Sequence, residues 1–319
     1  MSAKTALVTG ATGKIGRYLV RALASKGVSV RAVSRGPAQA PDPGSGRVEM
    51  IRGDILDRGL LIKAMRGCDC LFHLAAYQNA ADTRKDEFTR VNVEGAKMVL
   101  GCARECGIKN VLYVSTAMVF EDTGKVPRGE GWQKKSSCEA DHYLQTKIEA
   151  LKLVEDMRNE LPMVVVYPTA VIDLNDFAAS APQAGGLQKF LWEKIGGGIP
   201  GGLVSRIGPR GRVFNYVFVE DLADGMVRAL FNTEGNGQYI LGGENITAGD
   251  YLSRASARVR KKYFPFRIPL CLFKVLSFIG KLIPVPQMAH TIASGRLEDR
   301  CFSSDRAKKD LGYDPKGRL

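Results

Sequence analysis

The chain has 319 residues, 45% of them hydrophobic and 25% charged, and 46 Lys and Arg against 33 Asp and Glu give a net charge of +13. That composition excludes a disordered or fibrous chain and supplies enough apolar side chains for a substantial core. No apolar run reaches the roughly 18–20 residues that span a bilayer, and MSAKTALVTG enters a strand without a signal-peptide pattern, so the expected location is the cytoplasm.

Seven cysteines are an odd number, and none stands in the CxxC or Cys/His spacing that tetrahedral zinc requires. They read as reduced thiols, and no metal site is expected. His73, inside the apolar run LFHLAA, reads as a core group. Helix-turn-helix, zinc and RNA-binding signatures are absent, so the positive charge is not read as a nucleic-acid footprint.

In chain order, β-branched runs predict strands at 5–9, 28–34, 47–53, 69–75, 110–116 and 162–168. Helical patterns fit between them at about 14–26, 57–66, 85–106 and 139–160. Strands alternating with helices predict an α/β fold with a doubly wound parallel sheet of Rossmann type. After Pro168 the texture turns Gly- and Pro-rich, then a strand and helix return in NYVFVEDLADGMVRALF and a short strand in GQYILGG. The expected division is a nucleotide-binding domain over 1–170 and 213–242, with a smaller, discontinuous substrate lobe over 171–212 and 243–319.

TGATGKIG, Thr9 to Gly16, follows the first strand and opens the first helix, with Gly10, Gly13 and Gly16 at intervals of three. Glycines permit a tight turn and close backbone approach to a pyrophosphate, and the first helical turn offers unpaired N–H groups at its positive dipole end. Thr12, Lys14 and Ile15 belong to the same turn. At the end of the second strand, where an acid would accept from a free ribose 2′-hydroxyl, the chain has Ser34 and Arg35. A guanidinium matches a 2′-phosphate, so NADP(H) is preferred and NAD(H) stays open; as a solvated loop residue Arg35 would carry no such role. Asp54, beside Ile55, is placed to accept from the adenine amino group, or else to cap a helix.

Tyr143 and Lys147 lie four residues apart in DHYLQTKIEA, one helical turn. A phenol has a pKa of about 10 and serves as an acid near neutrality only when a cation lowers it, and this spacing brings the ammonium to the tyrosine's face. An ordinary amphipathic pair would show the same spacing, so context decides. Ser115 and Thr116 end an apolar strand upstream and form a pair of hydroxyl donors.

Taken together, GxxGxxG, Asp54-Ile55, HLAA (His73 to Ala76), VNVEG (Val91 to Gly95), Ser115-Thr116, YxxxK and the later YVFVEDLADG resemble the extended short-chain dehydrogenase/reductase family over nearly the whole length. The resemblance implies an NAD(P)-dependent enzyme acting on CH–OH and C=O groups. In it, Tyr143 is the acid/base, Lys147 holds the nicotinamide ribose and depresses the tyrosine pKa, and Thr116, with Ser115 beside it, hydrogen-bonds the reacting carbonyl. Leu74, Ala75, Ala76, Tyr167, Pro168 and Val171 would line the cofactor cleft, with Pro168 near the nicotinamide, and Asn92 would tie the long helix to the sheet.

Within the family, sugar-nucleotide epimerases and dehydratases usually carry an Arg where this chain has Phe214, with Arg212 two residues earlier on the same strand face. VRAVSRGPAQ and CDCLFHLAA are instead similar to the dihydroflavonol reductase and 3β-hydroxysteroid dehydrogenase branches, and the tail resembles the hopanoid-associated group, which usually has an Arg before the nicotinamide-site Pro where this chain has Tyr167. The expected substrate is therefore small and hydrophobic, of sterol, keto-lipid or polycyclic type. A nucleotide-sugar epimerase or dehydratase with retained NAD(P) and a non-catalytic NADP-sensing module are the alternatives.

From Tyr251 to Leu297 there are nine Lys or Arg and no acid. Residues 258–287, rich in aliphatic and aromatic side chains, could form a peripheral contact with an anionic membrane, a lid, or the core of the second lobe. A homodimer is compatible with the resemblance.

Overall fold

The computed structural model describes residues 4–36, 47–78, 84–139, 141–175, 205, 207, 211–233, 236–258, 269, 298–317 and 319. Its elements in the first half are β1 (Thr5–Thr9), α1 (Gly16–Ser25), β2 (Ser29–Ser34), β3 (Val48–Arg52), α2 (Arg58–Met65), β4 (Cys70–His73), α3 (Lys85–Thr89), a π-helical turn (Arg90–Glu94), α4 (Gly95–Glu105) and β5 (Asn110–Val114). There follow a 3₁₀ turn (Ala117–Val119), α5 (His142–Met157), β6 (Met163–Pro168), β7 (Ala170–Ile172), β8 (Val213–Phe218), α6 (Val219–Phe231), β9 (Gly237–Leu241), β10 (Glu244–Thr247), α7 (Ala248–Arg258) and α8 (Asp305–Leu311).

Seven strands form the main sheet in the order β3-β2-β1-β4-β5-β6-β9, each pair parallel. The order reverses between β1 and β4, so the crevice at their carboxyl ends is the topological switch point where doubly wound sheets take ligands. Strand alternation sorts the core into two layers. Leu7, Val33, Leu71 and Val111 face Leu61, Leu100, Leu144 and Leu151 from the α2, α4 and α5 side. Val8, Ala32, Phe72 and Leu112 face Leu19, Leu23, Met226 and Leu230 from the α1 and α6 side. Each fully buried aliphatic or aromatic side chain in these layers contributes about 1.5–3 kcal/mol.

A second, three-stranded sheet runs β10-β8-β7, antiparallel at β10/β8 and parallel at β7/β8, with Tyr216, Phe218 and Ile246 packed against Tyr251, Leu252 and Ala255 of α7. The strand from Val213, expected to rejoin the nucleotide-binding sheet, therefore belongs to the small sheet. It is β9 that extends the large one, beside β6. The helix expected over 85–106 is divided by the π turn, which contains Asn92. The Asn92 carboxamide accepts from the Tyr77 amide at 2.6 Å, and its amide donates to the Tyr77 carbonyl at 3.1 Å and to Thr146 Oγ1 at 2.9 Å. Asn92 thus joins the loop after β4 to α5, where the sheet was the expected partner.

Candidate active site

The glycine turn is shaped by contact with the loop that follows β4. Gly10 has φ +71°, a region in which only glycine is comfortable, and a Cβ there would stand 2.7 Å from the Ala75 nitrogen. A Cβ on Gly16 would run into the Gly10 carbonyl oxygen. The turn closes through a bond from the Gly13 amide to the Gly10 carbonyl at 3.0 Å, and α1 begins after Ile15 with no side-chain cap, its Arg17 and Tyr18 amides donating instead to the Gly13 carbonyl at 3.2 Å and the Ile15 carbonyl at 3.1 Å.

The first turn of α1 is pinned to the chain beyond β7. Lys14 Nζ donates to the Val171 carbonyl at 3.3 Å, Arg17 pairs with the buried Asp173, and the Tyr18 hydroxyl donates to Asp173 at 2.9 Å. Burial pushes the Asp173 carboxyl up, but the Asn175 amide, Arg17 and Tyr18 outweigh it and hold the group below its usual value.

Two cavities meet at this turn. One, of about 360 Å³, is lined by Thr12, Ser34, Arg35, Asp54, Ile55, Leu74, Ala75 and Ala76 among others, the set expected for an adenosine end. Thr12 and Ser34 hydroxyls lie 3.0 Å apart, and Arg35 is exposed at the rim. Asp54 accepts from the Leu56 amide at 3.0 Å and faces Arg90 at 3.6 Å, whereas the cap of α2 is Asp57, which accepts from the Leu60 amide at 3.0 Å. Arg90 was not legible in the sequence as a site residue; its only signal is its place immediately before VNVEG.

The other cavity, of about 640 Å³, shares Gly10, Gly13, Leu74 and Ala76 with the first and continues past Lys14, Ile15 and Gly16 to Ser115, Thr116, Tyr143, Lys147, Pro168 and Val171. Asp141 caps α5, accepting from the Leu144 amide at 3.1 Å, and so fixes Tyr143 in the first turn, 9% exposed at the cavity wall. Ser115 Oγ is buried in the same wall with no hydrogen-bond partner among the described residues. Thr116 Oγ1 accepts from the Met118 amide at 3.3 Å, which leaves its own proton for the cavity. An orphaned buried hydroxyl at a cavity wall is costly unless a ligand meets it.

Lys147 is 4% exposed and donates to the Val114 carbonyl at 2.7 Å and to the Tyr113 hydroxyl at 3.4 Å, with its Nζ 5.0 Å from the Tyr113 ring centre. Burial lowers its pKa from 10.5 to about 7. His73, fully buried beside it, is pushed down to about 3 by burial and by the Lys147 charge, so it is a neutral imidazole whose Nδ1 lies 2.7 Å from Thr9 Oγ1. His73 is the core group expected from its strand.

The far wall of the larger cavity is mixed. Phe214 packs edge-to-face on Tyr251 with ring centres 5.2 Å apart, and Phe302 and Ile172 extend the apolar surface. Arg212 and Arg300, both buried, line the same space with Glu298 and Asn215. Arg300 Nη1 donates to the Met118 and Phe120 carbonyls at 3.3 Å each, and Nη2 donates to Glu298 at 2.7 Å. Sequence reasoning missed Arg300, which lies in a tail with no motif of its own.

Tyr167 is a correction. It is fully buried, donates to Gln238 Oε1 at 2.7 Å and packs on Phe120 at 5.0 Å between ring centres, and it does not line the cleft. Strand alternation explains this: Pro168, its neighbour, takes the cleft-facing side. Residues 259–268 and 270–287, expected as lid, membrane contact or core, lie outside the described residues. Among the described residues no helix is long and apolar enough to cross a membrane and no His, Cys, Asp or Glu cluster could hold a metal. The six described cysteines are free thiols.

Residues 6–242 match the model of the NAD dependent epimerase/dehydratase family. The chain is 30% identical over 253 residues, 78% of its length and 72% of the relative's, to sterol demethylase protein B of Methylococcus capsulatus. It is 28% identical over 323 residues, 96% of its length and 88% of the relative's, to a putative dihydroflavonol 4-reductase of Synechocystis. The crystal structure of gox2253 superposes with a TM-score of 0.78 at 26% identity, covering 98% of this chain and 93% of that one. With the glycine turn, the Tyr-Lys pair and the hydroxyl pair gathered around one cleft, the chain belongs to the NAD dependent epimerase/dehydratase family and is an NAD(P)-dependent oxidoreductase of the extended short-chain dehydrogenase/reductase type.

Proposed function

We propose that this enzyme interconverts a carbonyl and a secondary alcohol on a hydrophobic substrate of sterol, keto-lipid or polycyclic type, with NADP(H) preferred over NAD(H). The observation that carries the reading is the shared wall of Tyr143, Lys147, Ser115 and Thr116 opposite the Phe214–Tyr251 aromatic pair. Aromatic rings set among a small number of polar groups fit a greasy molecule that offers an oxygen to the Tyr143 end. The sterol and flavonol names of the two relatives point the same way.

The cleft fits a dinucleotide: the backbone approach at Gly10 excludes any side chain, no side chain caps the start of α1, and Ser115 Oγ is a buried donor at the cavity wall. When bound, the nicotinamide supplies or accepts the hydride. The backbone of the glycine turn would hold the pyrophosphate and Arg35 a 2′-phosphate, while Lys147 would donate to the nicotinamide ribose. Thr116 and Ser115 would donate to the substrate oxygen and stabilise the negative charge that develops on it; loss of one such donor typically costs about 10²–10³ in rate. Tyr143 would pass its proton to that oxygen in reduction and take it back in oxidation.

The test is stoichiometric. Purified protein given NADPH and a 3-oxo steroid or 3-keto lipid is expected to consume one equivalent of NADPH per alcohol formed. Conversion of a UDP-sugar with no net change in nicotinamide absorbance would instead support the epimerase alternative and defeat the reductase reading.

A further inference from the structure

Behind the wall that carries Tyr143 and Lys147, three adjacent strands place polar residues side by side. Thr9 of β1 pairs in register with His73 of β4, and His73 with Tyr113 of β5. All three side chains are buried. Thr9 Oγ1 accepts from the Ala75 amide at 3.4 Å and lies 2.7 Å from His73 Nδ1, and the His73 and Tyr113 rings stand 5.7 Å apart. The row ends on Lys147, whose Nζ donates to the Tyr113 hydroxyl at 3.4 Å and stands 5.0 Å from the centre of that ring. Tyr113 is not among the residues lining either cavity, so any influence it has on the reaction passes through Lys147.

The titratable groups that face Lys147 are Tyr113 from β5, His73 from β4 and Tyr143 one turn back on α5, in the same cavity wall. From the π turn packed on α5 the uncharged Asn92 reaches Thr146, and Tyr167 of β6 interacts with Tyr113. His73 is a neutral imidazole, and Tyr113, pushed up by burial and by Tyr143, stays a neutral phenol. Among the described residues no carboxylate pairs with Lys147, and dipoles support its charge: the Val114 carbonyl, the Tyr113 oxygen and the Tyr113 ring. An oxygen that accepts from a buried ammonium favours the charged form, and so does an aromatic face.

We propose that Tyr113 is a positioning residue for the reaction: its hydroxyl and ring keep the Lys147 side chain charged and aimed at the cleft, ready to hold the cofactor ribose and to support Tyr143. This inference deepens the roles proposed above for Lys147 and Tyr143 and rests on them. Phenylalanine at position 113 keeps the ring and removes only the hydroxyl, which isolates the hydrogen bond.

The experiment reads Lys147 directly, in the protein without cofactor. With lysine labelled by carbon-13 at Cε, the NMR signal missing from Lys147→Met is followed through pH. Its midpoint is expected to lie about 0.5–1 pH unit lower in Tyr113→Phe than in the unaltered chain, the scale of one modest hydrogen bond. NADP⁺ affinity, measured by calorimetry, is expected to agree within about twofold between the two proteins at pH 6 and to be about 3- to 10-fold weaker in Tyr113→Phe at pH 8. A merely structural lesion weakens binding at both pH values alike. An unmoved or raised midpoint, or an equal loss of affinity at both pH values, overturns the proposal. A midpoint that falls as expected while NADP⁺ affinity is unchanged at both pH values upholds the hold of Tyr113 on Lys147 and refutes the ribose role given to Lys147, so the two readings fail separately.

Discussion

The ammonium of Lys147 donates to the carbonyl of Val114 at 2.7 Å, joining the helix that carries Tyr143 to the strand whose next two residues are Ser115 and Thr116. The tyrosine and the hydroxyl pair are thereby held on one rigid frame, α5 against the end of β5, before any substrate arrives. Preorganised donors of this kind need no reorganisation as charge develops. The bond also keeps Lys147 in a dry place, and its lowered pKa follows from that.

Because burial leaves Lys147 with a pKa of about 7, it is mostly neutral at pH 8. A bound dinucleotide brings negative charge and ribose acceptors that favour the protonated form, so binding should take up about one proton there. Titration calorimetry with NADP⁺ in buffers of different ionisation enthalpy measures the uptake. It should vanish in Lys147→Met; equal uptake in both proteins would place the titrating group elsewhere.

His73 makes the fold acid-sensitive in a defined window. In the folded chain it resists protonation down to about pH 3, while in the unfolded chain it takes a proton near 6.5. Between those values the unfolded state binds more protons, so stability falls as pH drops from 6.5 toward 3, at up to about 1.4 kcal/mol per unit from this one group. Urea midpoints across that range should decline less steeply in His73→Asn than in the natural protein. Parallel slopes would mean that His73 does not set the acid limit.

Arg35 should discriminate between cofactors. It lines the adenosine cavity at its exposed rim, where a 2′-phosphate would be met by a guanidinium. Arg35→Ala is expected to weaken NADPH binding by about 10- to 100-fold, the scale of a charge-assisted pair, and NADH binding much less. Fluorescence titration of the two cofactors checks this, and equal losses would remove Arg35 from phosphate recognition.

Arg300 should matter for turnover and stability together. Its bonds to the Met118 and Phe120 carbonyls hold the turn that follows Thr116, and lysine cannot reproduce that fork. Arg300→Lys is expected to lose about 1–3 kcal/mol of stability and to lower kcat more than it raises KM. Denaturant midpoints and steady-state kinetics on the same preparation provide the check; unchanged values in both would leave the clamp without consequence.

Much of this was legible in the residues because local pattern and tertiary need agreed. The strands from Thr5 to Pro168 and the helices between them follow from alternation and helical spacing, and the glycine turn, Ser115, Thr116, Tyr143 and Lys147 reach one cleft because each ends or begins such an element. Disagreements arise where a distant partner decides. Asn92 satisfies Tyr77 and Thr146 from within a π turn that no periodicity announces, and Tyr167 turns into the core because Phe120 and Gln238 are there to receive it. The strand from Val213 looks like any other apolar run, and only its pairing with β7 and β10 assigns it to the small sheet. Arg90 and Arg300 act through contacts far along the chain or in a tail without motif, so their roles appear only once the chain is folded.

Proton exchange between Tyr143 and the substrate oxygen is the step on which the enzymatic account turns, and single-turnover hydride transfer in Tyr143→Phe, measured on protein shown by titration to bind NADPH, tests it most directly. The expected result is cofactor that binds but transfers hydride about 10²- to 10⁴-fold more slowly. An undiminished transfer rate with the cofactor in place would contradict it.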